Sequence, residues 1–186
     1  MKKLALMVGA AALLAGQAVA SEGFYVGAQY DRHTLKDSED GISVSYKLGS
    51  VGVLGGYQLN ENFAIEGRWH TGVQDKSLSF DDFRAKVELS NRFALLGKGM
   101  VPLSDEFSLY GLAGYSHAKY RISATDGQNS GRVSLNGKGV TWGVGGQYAF
   151  NDHFAVHLEY NDLPKAKFEG ESSRASAVTV GFSYKF

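Results

Sequence analysis

Apolar and polar residues alternate along most of this chain with a period of two. The C-terminal stretch is the clearest case: Val178, Val180, Phe182, Tyr184 and Phe186 interleave with Thr179, Gly181, Ser183 and Lys185. In an extended strand the two sets point to opposite faces. One face is then apolar and aromatic, the other small or polar. Seven upstream segments, at 24–31, 50–59, 63–70, 93–103, 107–116, 141–150 and 154–161, repeat the pattern. Their apolar faces carry no charge. The opposite faces of the eight carry Asp31, Glu66, Arg68, Lys98, Glu159 and Lys185.

Alternation alone fits either a soluble sandwich or a membrane barrel, and the placement of the aromatics decides between them. Phe24, Tyr57, Phe63, Phe107, Tyr148, Phe150, Phe154, Tyr184 and Phe186 cluster at one end of the apolar faces, and Tyr30, Trp69, Phe93, Tyr115, Trp142 and Tyr160 at the other. Val, Leu, Ile, Gly and Ala lie between. Two aromatic belts around an aliphatic band are the girdle pattern of a transmembrane β-barrel. A sandwich core would place more of these rings mid-strand.

Three short polar turns, each clasped between apolar residues, join pairs of these strands: Asn60-Glu61-Asn62, Ser104-Asp105-Glu106 and Asn151-Asp152-His153. Longer polar connections are expected at 32–43, 72–86, 119–137 and 161–174. With both termini on the short-turn side, three such turns give an all-β, eight-stranded, antiparallel up-and-down barrel. In lipid every backbone polar group must be paired, so the sheet must close. Eight strands enclose a space that side chains fill, which argues against a wide aqueous pore.

The first twenty residues have another grammar. Lys2 and Lys3 precede an Ala- and Leu-rich stretch, and Ala18-Val19-Ala20 sets small residues before a cut at Ser21. That is the order of a cleaved secretory signal peptide. Residues 1–20 are therefore assigned to export and 21–186 to the barrel domain. After Ser21 no apolar run is long enough for a transmembrane helix.

Composition narrows the chemistry. Lys+Arg and Asp+Glu are both 19, so there is no basic excess for nucleic acid. The absence of Cys excludes a disulfide scaffold and a Cys-ligated zinc. His33, His70, His117 and His153 are scattered and are read as solvated or satisfied polar residues, so neither a metal nor a cofactor is expected. The Gly-rich run around Gly137-Lys138-Gly139 lacks the form of a phosphate-binding loop.

Gly55-Gly56-Tyr57-Gln58-Leu59 before a turn, Ala64-Ile65-Glu66 after it, Val101-Pro102-Leu103 before the second turn and the stretch from Val180 to Phe186 carry a resemblance. In order and spacing, residues 21–186 resemble the small outer-membrane barrels of the OmpA transmembrane domain and OmpX/Ail type. The resemblance implies a cell outer-membrane location in a Gram-negative bacterium, reached through the periplasm. It also implies that Phe182, Tyr184 and Phe186 form the segment read by the outer-membrane insertion machinery. Glu66 and Lys98 match positions where OmpA-type barrels place a buried acid and base. Gln147 and His157 depart from that pattern, which has a further acid and an Arg there.

Glu66, Lys98, Gln147, His157 and Glu159 are thus expected to form a lumen polar network near the short-turn rim. Unpaired charges in so narrow a space would be costly. No catalytic residue is expected. A lipid A-modifying hydrolase is a further alternative, but it would need a base within reach of a lipid-facing Ser, and His157 and Glu159 share the lumen face. The functional expectation is a structural or cell-surface role through charged extracellular loops, including adhesion or host-factor binding, with the alternative of a narrow ion channel gated by lumen charges and titrated by His157. The expected partners are the lipid bilayer, lipopolysaccharide, the insertion machinery and host surface or serum proteins, with no nucleic acid. The barrel itself is expected to be a monomer.

Overall fold

The computed structural model describes residues 23–39, 42–74, 76–80, 83–126, 129–168 and 171–186. The assigned signal peptide, residues 1–20, lies outside these. The described chain forms nine strands: β1 Gly23–Glu39, β2 Ile42–Gln58, β3 Phe63–Gln74, β4 Lys76–Phe80, β5 Phe83–Pro102, β6 Phe107–Asp126, β7 Asn129–Ala149, β8 Phe154–Phe168 and β9 Glu171–Lys185. Among the described residues there is no helix. Apart from β3 and β4, each strand pairs antiparallel with its sequence neighbours, and β1 pairs with β9 to close the sheet. β3 and β4 pair one after the other with β5 and act as one stave. The result is an eight-staved up-and-down barrel.

The inversion of polarity follows from the alternation. Outward residues are left bare: Val140 is 71% exposed, Leu95 64% and Val180 53%. Inward residues are sealed: Asp31, Ser50, His70 and Thr179 are 0% exposed. With the apolar surface turned outward, closure of the backbone ladder supplies the cohesion that a greasy core gives a soluble protein. A small apolar cluster of Tyr25, Leu54, Ala64, Leu96, Met100, Tyr110 and Leu112 still fills part of the interior.

The short turns share one device. The side-chain oxygen of Asn60 accepts from the backbone N–H of Asn62 and Phe63, each at 2.9 Å. Asn151 does the same for His153 and Phe154, at 3.0 and 2.8 Å. Ser104 accepts from Phe107 N–H at 3.1 Å. The backbone closes each turn through Leu59, Leu103 and Phe150, whose N–H groups donate across it at 2.8 Å.

At the other end the structure corrects the sequence reading. The long connections expected at 32–43, 72–86, 119–137 and 161–174 are mostly strand. β6 and β7 remain paired from Phe107 opposite Tyr148 up to Asp126 opposite Asn129. Ladder pairing needs no apolar face once the strand has left the membrane, so the period-two signal fades there while the hydrogen bonds continue. Local register shifts at Gly49/Ser50, Leu89/Asn91 and Leu163/Ala166 further blur it.

Candidate functional site: the lumen network

The interior side chains form one connected polar column. On β3, Glu66 and Arg68 are two residues apart and both point inward. Arg68 donates to Glu66 through Nε at 2.8 Å and also through Nη2. On the other side it donates to Glu159 through Nη1 at 2.7 Å and Nη2 at 2.9 Å. Glu159 sits on β8, four staves from β3 in either direction, so the guanidinium spans the lumen and ties opposite walls together. Tyr25 Oη donates to Glu66 at 2.8 Å, and Tyr110 Oη donates to Glu159 at 2.7 Å. Inward glycines make room for these rings: a Cβ added at Gly145 would lie 2.7 Å from Tyr110 Cζ.

Toward the short-turn mouth, Lys98 Nζ lies 3.4 Å from Glu66 Oε1, donates to Gln147 at 2.9 Å and rests 4.1 Å from the Tyr110 ring centroid. Beyond it opens a basin of about 470 Å³, bounded by Lys98, Gln147, Met100, Lys185 and the turns. In the outward direction, Asn161 donates to Glu159 and to Thr179, each at 3.1 Å, and Thr179 donates to Asp31 at 2.8 Å. Asp31 also receives Arg92 at 2.9 Å and lies 3.1 Å from His70. His33 meets Ser50 at 2.8 Å.

Among the described residues six charged side chains are buried here, the acids Asp31, Glu66 and Glu159 against the bases Arg68, Arg92 and Lys98. With neutral histidines the sum is zero. That balance is what a low-dielectric lumen demands, because each charge left over would carry a large desolvation cost.

Of the five residues expected to form a lumen network, Glu66, Lys98, His157 and Glu159 are buried inside the barrel and Gln147 is half-buried. Glu66, Lys98 and Glu159 join the ionic network and Gln147 caps Lys98. His157 is buried beside Glu159, but its Nε2 stands 3.8 Å from the nearest carboxylate oxygen and makes no hydrogen bond. The missed member is Arg68, the hub. Alternation already placed it inward, but its partner across the barrel depends on closure and register, which a single strand does not encode. Asp31, His70 and Arg92 were missed as a second cluster for the same reason. Of the histidines read as solvated or satisfied, His33 and His70 are buried polar members of this cluster.

Chemically the arrangement holds walls in place. Ser50 and His33 are at the distance of a nucleophile and its base. However, Asp31 approaches the same Nε2, at 3.7 Å, and Ser50 is wholly buried. A catalytic triad needs its acid on the other ring nitrogen and an open nucleophile. Among the described residues no group of three His, Cys, Asp or Glu side chains could hold a metal ion. Phe182, Tyr184 and Phe186 lie at the short-turn end of β9. Phe154 is 5.5 Å from Phe182 and 5.0 Å from Tyr184 between ring centroids, and Tyr184 meets Phe186 edge-on at 5.2 Å.

The family model described as outer membrane protein beta-barrel domain matches residues 4–186. Among solved structures, the chain is similar to Ail, the attachment invasion locus protein of Yersinia pestis, in complex with the heparin analogue sucrose octasulfate. The TM-score is 0.62 at 17% identity, covering 89% of this chain and 99% of that one. It is also similar to Neisserial surface protein A, with a TM-score of 0.59 at 19% identity, covering 88% and 97%. The N-terminal β-barrel domain of Pseudomonas aeruginosa OprF follows, with 0.51 at 13% identity, covering 86% and 97%. A search of curated proteins finds no match.

Proposed function

The chain belongs to the outer membrane protein β-barrel family and sits in a Gram-negative outer membrane, and from that premise we propose that it is a rigid, non-conducting anchor that presents paired β-hairpins at the cell surface. The observation that carries this reading is the charge-balanced column pinned across the lumen by Arg68 between Glu66 and Glu159. A lumen so filled opposes a continuous water path, while its staves are longer than a membrane requires. β7 has 21 residues, whereas a tilted strand crosses the bilayer in about 9–11. The excess projects outward as ordered hairpin.

Adhesion or host-factor binding through those hairpins is the finer reading. It draws support from their reach and from the sulfated ligand bound by the similar Ail. Host-cell and serum-protein binding by bacteria expressing the full chain, compared with variants lacking the individual hairpin ends, tests it. Loss of binding with one hairpin supports the reading, and unchanged binding with all of them removed leaves only the anchoring role. Phe182, Tyr184 and Phe186 are assigned as the segment read by the insertion machinery. Replacing Tyr184 and Phe186 by Ala is expected to lower the assembled, heat-modifiable fraction in cells without lowering export.

The second reading is a narrow channel, favoured by the basin that reaches Lys98 and Gln147 from the short-turn mouth. Planar-bilayer recordings separate the two. The anchor gives no unitary conductance above the bare-membrane background, whereas resolved channel events that change in Arg68→Met would favour the channel.

A further inference from the structure

Two sealed histidines hold the outer end of the lumen. His33 on β1 and His70 on β3 are 1% and 0% exposed, and the Nε2 atoms of both face one carboxylate oxygen, Oδ2 of Asp31, at 3.7 and 3.1 Å. Arg92 reaches the same oxygen from β5 at 2.9 Å, and Thr179 on β9 donates to the other oxygen. With Ser50 of β2, which meets His33, the cluster ties five staves together. Tyr30, Trp69 and Phe93, the chain neighbours of Asp31, His70 and Arg92, belong to the outer aromatic belt. The cluster therefore lies at the height of the outer membrane surface, beyond the Arg68 pin.

The contacts leave neither ring a place for a second proton. Arg92 Nη2 stands 3.3 Å from both nitrogens of His70, whose Nε2 also meets the Gln29 amide and Asp31. A guanidinium only donates, so the ring must keep a lone pair toward it. His33 uses Nε2 on Ser50, while its Nδ1 is buried without a hydrogen-bond partner. A proton added there would sit on an N–H with no acceptor. Among the described residues, the charged groups facing the two rings are Asp31 of β1, Arg68 of β3 and Arg92 of β5, with Glu159 of β8 beyond Arg68. Asp31 and Arg92 cancel, so protonating both rings would leave two uncompensated positive charges in a space closed to water, which is costly.

We propose that His33 and His70 make the outer end of the lumen an acid-released clasp: it is shut around Asp31 and Arg92 in neutral surroundings, and acid outside the cell frees the outward parts of β1, β3 and β5 from one another. Once the cluster opens, water reaches both rings and each takes a proton near pH 6.5, as an imidazole in water does. The open form then binds protons that the sealed form does not. The sealed form therefore keeps its full advantage above that pH and loses it as the pH falls below. The Arg68 pin is made of a guanidinium and two carboxylates and stays shut, so the released end is a vestibule and not a path through the barrel. The inference is independent of what the hairpin ends recognise.

The test is amide hydrogen–deuterium exchange, read by mass spectrometry, of the full chain refolded into lipid vesicles at about pH 7.5 and about pH 5, corrected for the intrinsic pH dependence of exchange. In the wild type, residues 30–34, 69–71 and 91–93 are expected to open about 30-fold more at the lower pH for each ring that takes a proton. Residues 63–66, beside a short turn, are expected to stay equally protected at both. His33→Gln with His70→Gln is expected to remove the response, because glutamine does not titrate. His117→Gln, an exposed imidazole on β6, is expected to leave it unchanged. Heat-modifiable gel mobility at the higher pH reports that each variant is folded. Should the double variant fail to fold, the two single variants, each expected to keep only the other ring's share, carry the test. Equal protection of the wild type at both pH values, an undiminished response in the folded histidine variants, or an equal response at residues 63–66 would overturn the proposal.

Discussion

The Arg68 guanidinium donates to Glu66 on its own strand and to Glu159 on the opposite wall, and all three side chains are about 1% exposed. Removing one member of a buried pair leaves the other charge uncompensated, which costs about 3–5 kcal/mol. Arg68→Met is therefore expected to lower unfolding stability by about that much, measured by urea titration in lipid vesicles. Glu159→Gln is expected to cost less, because Arg68 keeps Glu66 and the amide still accepts from Tyr110. Equal losses in the two variants would mean that the pairing with Glu159 across the lumen carries the whole effect and that the Glu66 contact adds nothing. The lipid face obeys the opposite rule. Val144 lies on β7 between the aromatic belts and is 53% exposed. Val144→Arg is expected to cost about 2–4 kcal/mol, although the same substitution on a soluble surface would be nearly neutral.

Strands and turns set what the sequence can reveal. The three turns were legible because Asn60, Ser104 and Asn151 recur at the same place, and the structure shows why: each offers a side-chain oxygen to backbone N–H groups at the strand start. Asn151→Ala is expected to cost about 1 kcal/mol, seen as a lower urea midpoint. Inside the apolar band the faces of all eight staves were readable, since lipid on one side and a packed lumen on the other enforce alternation. Above the band water meets both faces and the constraint vanishes, so β6 and β7 continue to Asp126 and Asn129 where a loop was expected. The lumen partners were only half legible. Glu66 and Lys98 lie on adjacent staves, but the Arg68–Glu159 and Arg92–Asp31 pairs join strands separated by several others, and only closure brings them together. Because the outer part of β6 and β7 is not needed for crossing, deleting residues 123–132 is expected to leave a membrane-inserted, heat-modifiable barrel. Loss of that species would show that the projecting ladder supports the inserted part.

At the scale of the whole molecule, apolar area and charge have exchanged places relative to a water-soluble domain. Aliphatic and aromatic side chains meet lipid, among the described residues six buried charges that sum to zero fill the axis, and β1 pairs with β9 to close the sheet. The chain supplies its own probes of that arrangement, since Trp69 and Trp142 are its two tryptophans and both sit on the outward face. The most direct measurement is intrinsic tryptophan fluorescence of the protein refolded into vesicles, with bromines placed along the lipid acyl chains in one sample and acrylamide in the water of another. Strong quenching by the brominated lipid with weak quenching by acrylamide is the predicted result. Strong acrylamide quenching with no response to brominated lipid would place the rings in water and contradict the inverted barrel.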